Sequence, residues 1–193
     1  MLHGWGFDAS VWDALAPLLA GELVRMDRGY FGPRVDGPMD ADRPDLVVGH
    51  SLGAMLLARR WPDVPLVAIN GFDRFCGVDA VAPRVLERMA KRFDQTPAKV
   101  LDDFRAGIGA DPAPAIVSRE RLREDLTLLA DQTAAPAHRA PVLALQTGDD
   151  PLLPTALREA AFGGGAVVCP DGGHLLPPTR PEWCAARIAD FAR

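Results

Sequence analysis

The chain lacks several things, and each shortage narrows what it can be. Cysteine occurs only three times, at Cys76, Cys169 and Cys184, with no C-x-x-C spacing. Neither a disulfide framework nor a thiolate zinc site is indicated, and the three read as reduced, mostly buried thiols of a cytosolic protein. No apolar run approaches the roughly 20 residues that span a bilayer, and no charged-then-apolar signal peptide opens the chain. A membrane partner is therefore not expected. Positive charge is not in excess either. The net charge of −5 argues against a nucleic-acid partner, because phosphate binding wants a basic surface. No internal repeat is visible, and no ligand cluster implies a metal or an organic cofactor.

What is present fits one globular unit. The 193 residues are 48% hydrophobic and 24% charged, enough for one sizeable core. Short apolar runs alternate with helical periodicity, the pattern of a mostly parallel sheet with helices on both faces. The spacing predicts a helix over 9–20, a short strand over 23–26 and a strand over 45–48. A helix over 53–61 and a strand over 66–69, leaving through Asn70-Gly71, come next. From 72 to 132 the rhythm changes to three amphipathic helices, over 81–93, 97–106 and 118–130. A strand over 141–146, a helix over 154–162, a strand over 166–169 and a helix over 181–192 close the chain. The Pro- and Ala-rich stretches 111–115 and 133–140 read as connections. The expected layout is an α/β core of 1–71 and 133–193, interrupted by a helical cap over 72–132. Such a cap would lie over the carboxyl ends of the strands, where open α/β sheets bind ligands. The opening "MLHGWG" leaves only two residues for a strand ahead of its Gly-rich turn. Either the sheet is shortened at its N-terminal edge or the working start lies upstream.

"LVVGHSLGAMLLA" contains Gly49-His50-Ser51-Leu52-Gly53, a G-x-S-x-G between an expected strand and an expected helix. That context is what the motif requires: a serine on a strained strand-to-helix turn, with glycines where side chains would collide and helix N–H groups beside the hydroxyl. The plain alternative is a tight turn whose serine only caps a helix. A nucleophilic serine needs a base, and the base needs an orienting carboxylate. "VLALQTGDDPLLP" supplies Asp150, with Asp149 second, in the loop after a late strand. "VVCPDGGHLLPP" supplies His174 after the last strand. Nucleophile-elbow folds use the chain order serine, acid, histidine. The backbone N–H groups of Leu52 and of Trp5, in "HGWG", are the candidate oxyanion donors. His50 is expected to pack and His3 to hold the oxyanion loop. His138 has no assigned role.

Taken in order, "HGWG", "GHSLGA", "TGDDPLLP" and "GGHLLPP" resemble the α/β-hydrolase superfamily, from the first residue to the last helix. "LHGWGFDASVWDAL" together with "LREDLTLLADQ" is more narrowly similar to the pimeloyl-acyl-carrier-protein methyl ester esterases of biotin synthesis. The resemblance implies a cofactor-free cytoplasmic serine hydrolase with Ser51, Asp150 and His174 as its triad and Trp5 and Leu52 as oxyanion donors. Where several such esterases carry Trp before the serine, this chain has His50. The same triad would serve a thioesterase, a lipase-like enzyme or a cofactor-free haloperoxidase. A non-catalytic, ligand-binding member of the fold is the reading from another class. An acyl-carrier-protein partner would need basic side chains near the pocket mouth. Arg84, Arg88 and Arg92 form an i, i+4, i+8 stripe with Lys91 nearby, and Arg119, Arg121 and Arg123 follow. The plainer reading of these is solvated helix faces, paired with Glu87, Glu120 and Glu124.

Overall fold

The computed structural model describes residues 1–39, 42–77, 80–131 and 138–193. Its centre is a four-stranded parallel sheet of β1 (Val47–His50), β2 (Leu66–Ile69), β3 (Val142–Thr147) and β4 (Val167–Cys169), in that spatial order. His50 pairs with Ile69, Ile69 with Leu145, and Thr147 with Cys169. All four strands therefore end along one edge of the sheet, β3 and β4 two residues beyond β1 and β2.

Both faces of the sheet are covered, which explains strands that are apolar at consecutive rather than alternate positions. Val47, Leu66 and Ala68 pack against α1 (Leu52–Arg60) through Ala54 and Leu57, and against Trp61 and Val64. Val48, Val67, Ile69 and Leu145 face the other way, onto Val11, Trp12 and Leu15 and onto Cys184 and Ile188 of α7 (Pro181–Phe191). The expected two-faced α/β arrangement is the observed one. No helix among the described residues is long and apolar enough to cross a membrane.

Between β2 and β3 stand α2 (Pro83–Gln95), α3 (Pro97–Gly107) and α4 (Arg119–Ala130). Proline opens α2 and α3, where its missing N–H costs nothing, and the Ser118 hydroxyl caps α4 by accepting from the Arg121 N–H at 3.3 Å. The expected boundary at 132–133, and most of the 133–140 connection, lie outside the described residues. α5 (Thr155–Ala160) joins β3 to β4.

Three expectations need correction. The 9–20 segment forms two short 3-10 helices, Ala9–Trp12 and Ala16–Leu18, not one α-helix. Pro17 lacks an N–H, and its ring would occupy the space of the carbonyl four residues earlier. The 23–26 segment makes no ladder. Met26 forms a one-residue bridge to Leu2, which bridges in turn to Gly49. A short helix after His174, α6 (Leu176–Thr179), was not foreseen.

The helices α2–α4 are tied to the core by a buried charge. Asp125 of α4 is fully buried and receives both ends of the Arg28 fork, with Arg28 Nε at 2.7 Å, and also the Tyr30 hydroxyl. Burial and the adjacent carboxylate hold the Tyr30 phenol well above its usual range, so it stays protonated and donates. Removing one partner of such a pair strands the other in low dielectric. Asp125→Ala is expected to cost about 3 kcal/mol in urea unfolding, because the Arg28 side chain, only 19% exposed, loses its counter-charge. A cost below about 1 kcal/mol, the range of a surface pair, would show that the tie is not structural.

Candidate active site

Ser51 sits between β1 and α1 with φ 53° and ψ −124°, in the left-handed half of backbone space that non-glycine residues avoid. The flanking glycines are dictated by contact distances. A Cβ on Gly49 would lie 2.3 Å from the Ala54 Cα, and one on Gly53 would lie 2.1 Å from the Leu2 carbonyl oxygen. Gly4 packs so closely that its Cβ would stand 2.9 Å from Ser51 Cβ. The tripeptide 2–4 is therefore pressed directly onto the turn.

His174 Nδ1 donates to Asp150 Oδ2 at 2.8 Å, and both side chains are buried. Asp150 Oδ1 accepts from the Leu152 and Leu153 N–H groups at 2.7 and 3.1 Å. Burial works against ionisation of Asp150, but the His174 bond and these two N–H groups outweigh it and hold the carboxyl below its ordinary pKa. Asp149, the second candidate, turns elsewhere: its oxygens accept from Gly173 N at 2.9 Å and Gly172 N at 3.3 Å, bracing the loop that carries His174. Ser51 is 6% exposed. Among the described residues no hydrogen bond joins its hydroxyl to the His174 ring, a separation common in unliganded sites of this kind.

Trp5 and Leu52 are both buried, and among the described residues neither N–H has a hydrogen-bond acceptor. Leu52 opens α1, where the first N–H groups of a helix are unpaired. His3 Nδ1 donates to the Gly4 carbonyl at 2.9 Å and its Nε2 accepts the Arg28 N–H at 3.0 Å. The peptide that contains the Trp5 N–H is thus held at its oxygen.

Sequence reading gave His50 only a packing role, and the geometry adds to it. His50 Nε2 donates to the His174 carbonyl at 2.9 Å, while its Nδ1 is buried beside Gly4 with no hydrogen-bond partner. Burial, then the nearby His174, lowers the His50 pKa to about 3, so the ring stays neutral. Asn70 and Thr147 were missed altogether. Asn70 Nδ2 donates to the Gly173 and His174 carbonyls at 2.9 and 3.0 Å, and its Oδ1 accepts from Thr147 N at 2.9 Å. Thr147 Oγ1 donates to the Gly173 carbonyl at 2.9 Å. A signal did exist: Asn at the end of a buried strand, here with φ 41°, is a residue chosen for an unusual backbone.

The basic stripe is exposed on α2. Arg92 pairs with Asp103 of α3 at 3.0 Å, Arg123 pairs with Asp94 at 2.8 Å, and Arg88 Nε reaches only the Arg84 carbonyl at 3.3 Å. Among the described residues the ion pairs thus cross between elements rather than involving Glu87, Glu120 and Glu124 as expected. Three or more His, Cys, Asp or Glu side chains placed to hold a metal ion do not occur among the described residues.

A parallel sheet bearing a serine on a strained strand-to-helix turn, with an Asp–His pair on the loops of two later strands, is the framework of a nucleophile-elbow hydrolase. The chain belongs to the alpha/beta hydrolase family, whose model matches residues 1–187. It is 30% identical to a pimeloyl-acyl-carrier-protein methyl ester esterase of Aromatoleum aromaticum, over all of this chain and 97% of that one. It is 27% identical to the biotin biosynthesis bifunctional protein BioHC of Cellvibrio japonicus over 99% of this chain, and so spans 46% of that longer protein. Among solved structures, the esterase EaEST of Exiguobacterium antarcticum superposes with a TM-score of 0.76 at 13% identity, over 99% of this chain and 90% of that one.

The Asp150 pairing has a pH signature. A folded-state pKa below the unfolded value contributes stability that is present above the unfolded pKa, about 3.9, and is lost as pH falls through the folded value. The difference in unfolding free energy between the wild type and Asp150→Asn is expected to be no smaller at pH 5 than at pH 7, and to close as pH falls below about 4. A difference that stays flat to pH 2.5 in urea melts would contradict the pairing.

Proposed function

We propose that this chain is a serine carboxylic-ester hydrolase working through an acyl-enzyme, with Ser51 as nucleophile, His174 as base and Asp150 as the acid that orients it. The observation that carries the reading is the buried 2.8 Å His174–Asp150 bond on the loops facing the strained Ser51 turn. In this scheme His174 Nε2 takes the Ser51 proton as Oγ attacks the ester carbonyl. The free N–H groups of Trp5 and Leu52 receive the oxyanion. His174 then protonates the leaving alcohol and later activates water, while Asp150 fixes the Nδ1–H tautomer and stabilises the charged ring. No step calls for a cofactor.

Residues 72–132 are read as a cap. Phe93 of α2, Val100 and Leu101 of α3 and Leu122 and Leu126 of α4 share one buried cluster with Trp5, Leu52 and Met55 around the serine turn. An apolar acyl chain is the substrate portion that these side chains would receive on parting from the serine turn. The Aromatoleum relative supports a narrower version, a methyl ester of a pimeloyl chain on acyl carrier protein, with biotin synthesis as the setting. Free thiols at Cys76, Cys169 and Cys184 fit a cytoplasmic location. For carrier docking, Arg84 and Arg88 are the stronger candidates of the α2 stripe, because Arg92 already has Asp103.

Ser51→Ala is expected to reduce hydrolysis of a short p-nitrophenyl ester to background, and Asp150→Asn to lower kcat by about 10³–10⁴. Asp149→Asn should cost far less. Near-wild-type turnover in Ser51→Ala would overturn the scheme, and an Asp149 effect larger than that of Asp150 would reassign the acid. Reversing charge at Arg84 and Arg88 together is expected to lower kcat/KM on an ester carried by acyl carrier protein by about tenfold, more at low salt than at high. An unchanged value excludes docking on this stripe.

A further inference from the structure

The peptide joining Gly4 to Trp5 carries an N–H assigned above to the oxyanion, and the segment around it is held from two sides. The core side is His3, bonded to the Gly4 carbonyl. Most of the other ties run to the cap helices, although Phe7 also meets His50 of β1 edge-on at 6.2 Å. Trp5 Nε1 donates to the Leu122 carbonyl of α4 at 2.8 Å. Arg105, near the end of α3, donates from Nη1 to the Gly6 carbonyl at 2.8 Å and from Nε to the Asp111 carbonyl at 2.6 Å. Its guanidinium lies 4.7 Å above the Phe7 ring. Phe104, its neighbour on α3, meets Trp5 edge-on at 5.0 Å and Phe7 at 6.4 Å. Gly6 has φ +74°, and a Cβ there would come within 2.8 Å of Leu101 Cδ1. The segment 5–7 therefore takes its shape largely against the helices, with Phe7 also resting on His50 of β1.

Packing alone does not call for an arginine here. The apolar cluster under α2–α4 would hold the helices down without a partly desolvated guanidinium. What the guanidinium adds is direction. It fixes the plane of the 6–7 peptide from outside, as the Trp5 indole fixes the side chain of residue 5, leaving the donor peptide between His3 and Arg105 little freedom to rotate. Such fixed donors are what an oxyanion site needs, because reorienting them during reaction costs rate.

We propose that Arg105 is a positioning residue for the oxyanion peptide, and that it makes catalytic geometry conditional on α3 being closed over Ser51. Lifting α3 releases the Gly6 carbonyl while the indole stays on Leu122, one turn from the Asp125 anchor of α4, so the donor is correctly aimed only when α3 is down on the substrate. The inference rests on the reading of the Trp5 N–H as an oxyanion donor.

The test compares Arg105→Met and Arg105→Lys in the full chain, using a p-nitrophenyl ester and a trifluoromethyl ketone that adds to serine and presents an oxyanion. Arg105→Met is expected to lose about tenfold in kcat with KM within about twofold, and the ketone should weaken in the same proportion. Arg105→Lys should recover part of the loss, since an ammonium reaches one carbonyl but not the second carbonyl and the ring. Unchanged kcat and ketone affinity in Arg105→Met overturn the coupling. So does a parallel fall of kcat, ketone affinity and melting temperature that lysine does not relieve, which marks a purely structural arginine. Ser51→Ala run alongside separates the two levels. If it is inactive while Arg105→Met matches the wild type, only the coupling falls; if it retains full turnover, the hydrolase reading falls and this inference with it.

Discussion

The site depends on two carbonyl oxygens, those of Gly173 and His174, which accept four hydrogen bonds from buried side chains: one from His50, two from Asn70 and one from Thr147. Each donor stands at or one residue past the end of a different strand, β1, β2 and β3 in turn. A parallel sheet delivers its strand ends to one edge, and the register brings these three within reach of a single loop. Because the donors are buried, each bond is worth more than at a surface, and each donor left without its carbonyl would be costly. The loop carrying His174 is therefore fixed by the sheet itself, and the imidazole inherits the sheet's rigidity. Asp149 and Asp150 complete the arrangement from the β3 loop, one bracing the loop's N–H groups and the other the ring.

The same constraint explains why His50 cannot act as the base, although it adjoins Ser51. Its Nε2 proton is committed to the His174 carbonyl, and its burial keeps the ring neutral far below neutral pH. The lone pair left on its Nδ1 is buried beside Gly4 and its basicity is suppressed by burial, so His50 acts as a hydrogen-bond donor and His174 is left as the group able to take a proton. Two histidines 5.0 Å apart thus have different work because their surroundings differ. One faces a carboxylate, the other a carbonyl.

What the sequence made legible were features whose causes are local. The serine turn could be read because Gly49 and Gly53 are demanded by backbone contacts within a few residues of the motif or with the segment it packs on. Strand 66–69 was legible to the residue because it is buried on both faces. Asn70, Thr147, Arg105 and Asp125 were not, because their partners lie about 25 to 105 residues away and nothing local marks the pairing. The 9–20 helix was misread for the opposite reason. Its apolar spacing held only in the first half: Val11, Trp12 and Leu15 are buried, but Leu18 of the same expected face is exposed, because Pro17 decides the backbone where hydrophobic period cannot. Charge patterning failed similarly on α2 and α4: the cations found carboxylates on neighbouring elements, which neighbouring sequence does not reveal.

A site this enclosed creates its own requirement. Ser51 is nearly inaccessible and His174 buried, a low-dielectric setting that strengthens the Asp150–His174 pair. In the proposed scheme a substrate has to reach Ser51, and moving the sheet side would break the strand-end bonds to the histidine loop. The yielding part must be α2–α4. Their attachment is uneven in a way that suits this. Asp125 with Arg28 and Tyr30 makes a deep, fully buried anchor at one end. The Trp5 indole bonds Leu122 one turn from that anchor, whereas on α3 Arg105 grips the Gly6 carbonyl, a contact worth a net gain of about 1 kcal/mol or somewhat more for a charged guanidinium. Motion about the Asp125 anchor would release Arg105 and the Gly6 carbonyl first, while the Trp5 indole beside the anchor kept its bond to Leu122.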